Sequence, residues 1–326
     1  MSVAVSASVA AFAIGIAFGA IARWSGFCLR GGGEDLLTTP NAPRLRGFLL
    51  AIAVALLGVQ ALVLTGPLEL SRATILPPTL FWGGALLGGA LFGTGMVLTG
   101  GCGTRMLVLA AGGNLRSVVS LIVFALVAYA TIRGILAPAR AALVPLSSVA
   151  LATPALPLAV GVVTVIAALA FVLWRRVPAK HLIAGALVGL LVPAGYLATT
   201  LLADEFEPAP VESLNVTRAA GDTLVYLLTW TGSSINFGIA FVFGILVGAA
   251  LVVAIRRDFK LIGFEAPHDM LRNFLGAALM GVGGVLALGC TVGNGLTGIA
   301  SLAPTSFIAL PAMVVSAALT MKGRRG

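Results

Sequence analysis

Nine apolar runs, each about the length of a bilayer-crossing helix, limit what this chain can fold into more than any other feature. They lie near residues 3–21, 47–64, 80–99, 115–132, 151–174, 182–202, 235–255, 272–289 and 305–321. A hydrocarbon core of about 30 Å takes roughly 20 apolar residues in a helix. In lipid, a helix is also the simplest element that satisfies every one of its own backbone groups. Composition agrees, since 59% of the 326 residues are hydrophobic and only 10% are charged, against about a quarter charged in a soluble domain. The first run has no Lys or Arg before residue 23 and reads as a mature span rather than a signal peptide. The expected fold class is therefore an all-α integral membrane protein of about nine transmembrane helices.

The few charges orient the helices. With the N-terminus outside, the cations on the inner side are Arg23, Arg30, Arg44, Arg46, Arg105, Arg116, Arg175, Arg176, Lys180, Arg256, Arg257, Lys260, Arg272, Lys322, Arg324 and Arg325. The outer side then has only Arg72, Arg133, Arg140 and Arg218. Sixteen against four follows the positive-inside rule and predicts an N-out, C-in topology in the cytoplasmic (inner) membrane. The formal charge of +9 is thus accounted for by topology, and a nucleic-acid partner is not expected. The acids Asp204, Glu205, Glu207, Glu212 and Asp222 fall in the longest outer loop.

An internal repeat is visible at an offset of 188 residues. GGALFGTGMVLTGGC (88–102) and GAALMGVGGVLALGC (276–290) agree at nine of fifteen positions, with Gly88, Gly93, Gly95, Gly101 and Cys102 aligned on Gly276, Gly281, Gly283, Gly289 and Cys290. The predicted topology runs the two copies in opposite directions, the inverted-repeat pattern of many secondary transporters. A weaker echo aligns Phe18-Gly19 with Phe243-Gly244 and leaves Cys28 without a counterpart. The expected organisation is a first repeat (1–140), connecting spans (141–205), an outer acidic loop (206–234) and a second repeat (235–326), all in one membrane domain.

Each repeat continues into a Gly-rich break and a short apolar half-helix. Gly103-Thr104-Arg105 precedes 106–111, and Thr291-Val292-Gly293-Asn294-Gly295 precedes 296–302. A third break is expected near 24–31, after which Glu34 and Asp35 either cap a helix or are solvated. Non-helical backbone at membrane depth survives where protein buries it or where it lines a polar path, so paired breaks point to a site. All three cysteines, Cys28, Cys102 and Cys290, fall at these breaks. Half-helix N-termini suit an anion, Arg105 could add charge, and Asn294 could donate a neutral hydrogen bond. A thiol is a weak donor with a polarizable sulfur, a better partner for a soft sulfur atom than for a hard oxyanion. Arg105 could equally serve only as a helix-end anchor.

Several classes are set aside. The cysteine spacings of 74 and 188 residues do not resemble a metal motif, and three cysteines give no disulfide framework. No Gly-Lys pair exists for a phosphate loop, and 293–298 matches G-x-G-x-x-G by letter without the required context. No cofactor is expected. The small-xxx-small pairs Gly15/Gly19, Gly84/Gly88, Gly89/Gly93, Gly185/Gly189 and Gly244/Gly248 predict close helix crossings.

GFCLRGG around Cys28, LTGGCGTRML around Cys102 and ALGCTVGNGLTG around Cys290, in this order on nine spans, resemble the YeeE/YedE-type membrane proteins that take up thiosulfate. That resemblance implies an hourglass-shaped helical protein with short helices dipping in from both sides. It further implies three essential cysteines at Cys28, Cys102 and Cys290 that pass thiosulfate by S–H···S hydrogen bonds, and a cytoplasmic TusA-like sulfurtransferase partner. Gly101, Gly103, Thr104, Arg105, Gly289, Thr291, Gly293 and Asn294 complete the expected site. Other sulfur or selenium species remain open as substrates, as does a membrane sulfurtransferase using Cys102 as nucleophile.

Overall fold

A computed structural model describes residues 3–39, 41–151, 155–201, 210–230 and 234–324. Asp204, Glu205, Glu207 and Arg325 lie outside the described residues. All nine apolar runs fall on helices: α1 Val3–Ser25, α3 Pro43–Leu64, α4 Trp82–Thr99, α6 Leu115–Arg133, α8 Leu158–Leu173, α9 Ala179–Leu201, α11 Phe237–Arg256, α12 Pro267–Leu286 and α13 Pro304–Gly323. Among the described residues, seven helical stretches are long and apolar enough to cross a membrane. The other two expected spans fall short for physical reasons: α8 has only 16 residues, and α12 has His268, Asp269 and Arg272 in its first turns. Short helices fill the gaps: α2 Leu29–Thr38, α5 Gly103–Ala110, α7 Ala137–Leu143 and α10 Val216–Leu228. One small antiparallel pair of strands, β1 Thr79–Phe81 and β2 Ser148–Ala150, joins the chain on either side of α4 to α7.

Close glycine crossings hold the helices together. At the α4–α12 contact, a Cβ built on Gly88 would stand 2.6 Å from the Gly283 carbonyl oxygen, and one on Gly283 would stand 2.6 Å from that of Gly88. Gly95 and Gly276 show the same mutual approach, at 2.5 and 2.8 Å. The crossing is therefore antiparallel, and a larger residue at any of the four would force the backbones apart. Gly88 aligns with Gly276 and Gly95 with Gly283 in sequence, so exchanging the two copies leaves these contacts unchanged, as in a two-fold interface.

The α1–α11 crossing is also built on glycines, with Gly15 against Gly244, Gly19 against the backbone of Ile245, and Gly248 against that of Ile16. Packing thus sets Gly15 opposite Gly244, whereas the sequence echo had aligned Gly19 with Gly244. Gly89 and Gly93 face α13, and Gly185 and Gly189 face α3. Arg46, counted among the inner cations, is 4% exposed. Its guanidinium lies 4.8 Å from the Phe171 ring and donates to the carbonyls of Val172 and Arg175, closing the C-terminal end of α8.

The two short helices α2 and α10 share a sequence pattern. At the same offset of 188, Arg30, Gly33 and Glu34 align with Arg218, Gly221 and Asp222. Both helices carry the resulting i,i+4 ion pair, Arg30–Glu34 and Arg218–Asp222, each at 3.6 Å. The segment expected as an outer acidic loop therefore contains a helix, with Val216, Ala219, Ala220 and Tyr226 buried.

Candidate functional site

Each thiol sits on the residue that opens a short helix. The chain turns at Gly26 (φ +72°) before Cys28, at Gly100 (φ +85°) before Cys102 and at Leu288 (φ +60°) before Cys290. The Cys28, Cys102 and Cys290 carbonyls then accept the first helical hydrogen bonds, from the N–H groups of Gly32, Met106 and Asn294 at 2.9, 2.9 and 2.8 Å. The half-helices consequently start directly after each Cys, earlier than the sequence suggested. Gly103 and Gly293–Gly295 lie inside them, because the positive-φ turn is made two residues before each Cys. Glu34 and Asp35 likewise lie within α2 instead of capping it; Asp35 accepts the Arg44 N–H at 3.1 Å.

Helix starts direct unpaired N–H groups toward whatever precedes them. Here that is sulfur: the N–H groups of Gly31 and Arg105 face Cys28 and Cys102. The Gly293 N–H reaches Cys290 Sγ at 3.4 Å, and the Val216 N–H at the start of α10 approaches the same sulfur. The thiols of Cys28 and Cys102 lie side by side, and Cys102 Sγ is 3.1 Å from Thr104 Oγ1. Cys290 lies beyond Cys102, at the junction of α10 and the second break.

A narrow cavity of about 10 Å³ is lined by Cys28, Cys102, Thr104, Arg105 and Thr291 among apolar neighbours that include Phe27 and Phe48. Two features mark it as a place for an anion. Arg105 forms no ion pair with any described residue, although it borders a largely apolar space. Thr291 is 1% exposed, and its hydroxyl is turned toward the Cys102 thiol, a weak partner that a stronger acceptor can replace.

Asn294 does something different from what its sequence position suggested. Its amide donates to the carbonyls of Ala287 and Gly289 at 3.0 and 2.8 Å, and its oxygen accepts from Ser306 at 2.9 Å. It thereby braces the second break, with its donors already committed. Gly101 lies against the Arg105 stem, while Gly289 and Gly293 lie against Asn215. The second half-helix winds as a π-helix over Gly293–Gly298, a local widening often found at functional sites.

A second, much larger cavity of about 370 Å³ opens beside Cys290 without including it. Arg133, Arg140 and Arg218 line it together with Glu212, Asp222, Asn215, Thr217, Leu288 and Thr297. Three of the four cations that broke the positive-inside pattern thus share one cavity. Thr217, 3% exposed, also keeps an unpartnered hydroxyl. Burial pushes the Glu212 carboxyl up to about 7, with Asp222 adding to the rise and Arg218 opposing it. Sequence reasoning missed this cavity because α10 is short and polar; the repeated Arg-x-x-x-acid pair at offset 188 was the available signal.

A family model described as sulphur transport matches residues 24–180 and 171–319. The chain belongs to the sulphur-transport family. It is 27% identical over 329 residues to the thiosulfate transporter TsuA of Escherichia coli K12, covering 92% of this chain and 90% of that protein. It is also 27% identical over 324 residues to the thiosulfate transporter TsuA of Spirochaeta thermophila, covering 91% and 92%. The probable transporter YedE of Escherichia coli K12 shares 28% identity over 108 residues, 32% of this chain and 25% of that protein. Family membership agrees with the multi-pass helical architecture and with the resemblance carried by the three Cys motifs.

Proposed function

We propose that the protein carries thiosulfate inward across the cytoplasmic membrane, along a path from the large cavity through Cys290, Cys102 and Cys28. The observation that carries this reading is that the three half-helices opened by the thiols converge on one narrow, Arg105-lined space, with Cys28 and Cys102 in its wall and Cys290 one residue behind Thr291. The full-length similarity to two proteins named thiosulfate transporters supports the choice of substrate.

The chemistry divides along the path. In the large cavity, Arg133, Arg140 and Arg218 attract a dianion and Thr217 supplies a donor. At the narrow point, the terminal sulfur accepts S–H···S hydrogen bonds from Cys290, then Cys102, then Cys28. Meanwhile Arg105, the Thr291 hydroxyl and the half-helix N–H groups hold the oxyanion end. A sulfate ion presents only hard oxygens to the thiols and is rejected. The reciprocal glycine contacts of α4–α12, with the matched ion pairs of α2 and α10, support two inverted repeats around this path. In this reading the N-terminus is outside, the C-terminus is cytoplasmic, and the substrate emerges at Cys28 toward a TusA-like sulfurtransferase.

Among the described residues no His or carboxylate lines the space around Cys102, which gives a sulfurtransferase reading no base to activate its nucleophile. Growth of an uptake-deficient bacterial host on thiosulfate as sole sulfur source tests the proposal. Expression of the chain should restore growth on thiosulfate but not change growth on sulfate or sensitivity to selenite. Rescue on sulfate, or a stable persulfide on Cys102, would replace the proposed function.

A further inference from the structure

Among the described residues the two cavities share no lining residue, and one turn of chain separates Leu288, in the wall of the large cavity, from Thr291 and Val292, in the wall of the small one. α12 ends at Leu286, and the next three carbonyls, of Ala287, Leu288 and Gly289, have left the helix. Two asparagine amides take all three. Asn294, 0% exposed and braced by Ser306, holds Ala287 and Gly289 from within the core. Asn215 holds Leu288 from the other side, its Nδ2 donating to the Leu288 carbonyl at 3.1 Å. Leu288 and Asn215 both line the large cavity, whereas Cys290, two residues on, is fully buried.

Leu288 has φ +60°, a left-handed backbone conformation that costs a branched residue about 1–3 kcal/mol and persists only if its surroundings impose it. Asn215 is such a restraint. Its oxygen accepts the Thr217 N–H at 3.1 Å and so caps α10, while its amide reaches across to the strained turn. Room for it exists because residues 289 and 293 are glycines: a Cβ on Gly293 would stand 2.9 Å from Asn215 Cγ and Oδ1. The same residue is the N-cap of the second half's short helix, the place that Cys28 holds in the first half.

We propose that Asn215 is a positioning residue, the latch that holds the Leu288 turn closed between the large cavity and Cys290. The inference rests on the transport reading for its purpose, but not for its geometry. An oxyanion at the floor of the cavity draws the Asn215 amide more strongly than the neutral Leu288 carbonyl does, because charge-assisted hydrogen bonds are about twice as strong. Losing that bond frees a strained turn to relax and uncover Cys290. Asn294, with both donors committed away from the cavity, stays in place.

The test uses the full chain with Cys28→Ser and Cys102→Ser, leaving Cys290 as the only thiol, in right-side-out and inside-out membrane vesicles. Small impermeant methanethiosulfonates, one cationic and one anionic, report the modification rate of Cys290. Asn215→Ala should raise the rate from the large-cavity side about tenfold with both reagents. Asn215→Asp retains the oxygen that caps α10 but loses the donor to Leu288, and it should be as fast as Asn215→Ala. Equal rates for Asn215→Asp and the Asn215 parent would make the residue a helix cap only and overturn the latch. Should Asn215→Ala fail to fold, Gly293→Ala, which displaces the side chain, reads out the same change; no acceleration there overturns it too. Loss of thiosulfate uptake by the wild-type chain would sink the transport reading while leaving these labelling rates to decide the latch.

Discussion

The two cavities are built on opposed plans. In the proposed orientation the outer cavity is about 370 Å³, carries three cations and two acids, and contains no thiol; the inner one is about 10 Å³, mostly apolar, and contains Cys28 and Cys102 with Arg105. Under the proposed function, the difference assigns capture and passage to separate chemistry. Long-range charge gathers a dianion without regard to its identity, and discrimination is left to a constriction where only a soft atom finds good partners. Substitutions in the inner cavity should therefore change the maximal rate and the substrate preference. Those in the outer cavity should change the apparent affinity and its salt dependence.

Apart from the thiols themselves, the largest effect is expected at Arg105. Removing the unpaired cation beside the thiols should lower the thiosulfate uptake rate about a hundredfold, the scale of losing a charge-assisted contact of about 2–3 kcal/mol. Arg105→Lys should recover part of it, and full activity in Arg105→Ala would leave the residue as a mere anchor.

A smaller and different change is expected in the outer cavity. Arg218→Ala, alone or with Arg140→Ala, should raise KM several-fold at low salt, leave the maximal rate near normal, and lose its effect at high ionic strength, because exposed charges are screened there. A drop in rate at saturating thiosulfate would break the division between the two cavities.

The mildest effect concerns Glu212. Its carboxyl titrates at about 7, so it is neutral below that pH and anionic above it. The outer cavity gains a negative charge as pH rises through 7, and KM for thiosulfate should rise with it. Glu212→Gln should flatten that profile while keeping the low-pH KM; a profile unchanged by the substitution would remove Glu212 from the capture step.

Most of the frame was readable from the chain because lipid imposes one strong rule, and a run such as 235–255 has few alternatives to a helix. The three Cys-centred breaks were readable for the complementary reason, since glycine and polar residues interrupting apolar sequence must be buried in protein. Three things were hidden. Helix α10 is amphipathic and only 13 residues long, so no hydropathy window reveals it; it is stabilised by burying Ala219, Ala220 and Tyr226 against neighbours distant in sequence. The half-helix starts were displaced because the turns at Gly100 and Leu288 close before the cysteines, which leaves the following glycines free to be helical. Asn294 had the composition of a substrate donor, and only its three long-lived partners, Ala287, Gly289 and Ser306, identify it as a brace.

The grouping of Arg133, Arg140 and Arg218 is the instructive case. Each is an outer-side exception to the charge rule, from a different segment, and no local pattern links them. Their meaning arises only when α6, α7 and α10 meet at one cavity.

The role of the thiols is tested most directly by labelled thiosulfate uptake into liposomes containing purified wild-type protein or the Cys102→Ser variant. Serine keeps the size and the hydrogen-bonding capacity with Thr104 but replaces the soft sulfur with a hard oxygen. Wild-type protein should accumulate label above empty liposomes, and the folded Cys102→Ser variant should not. Undiminished uptake by that variant would contradict passage through the thiols.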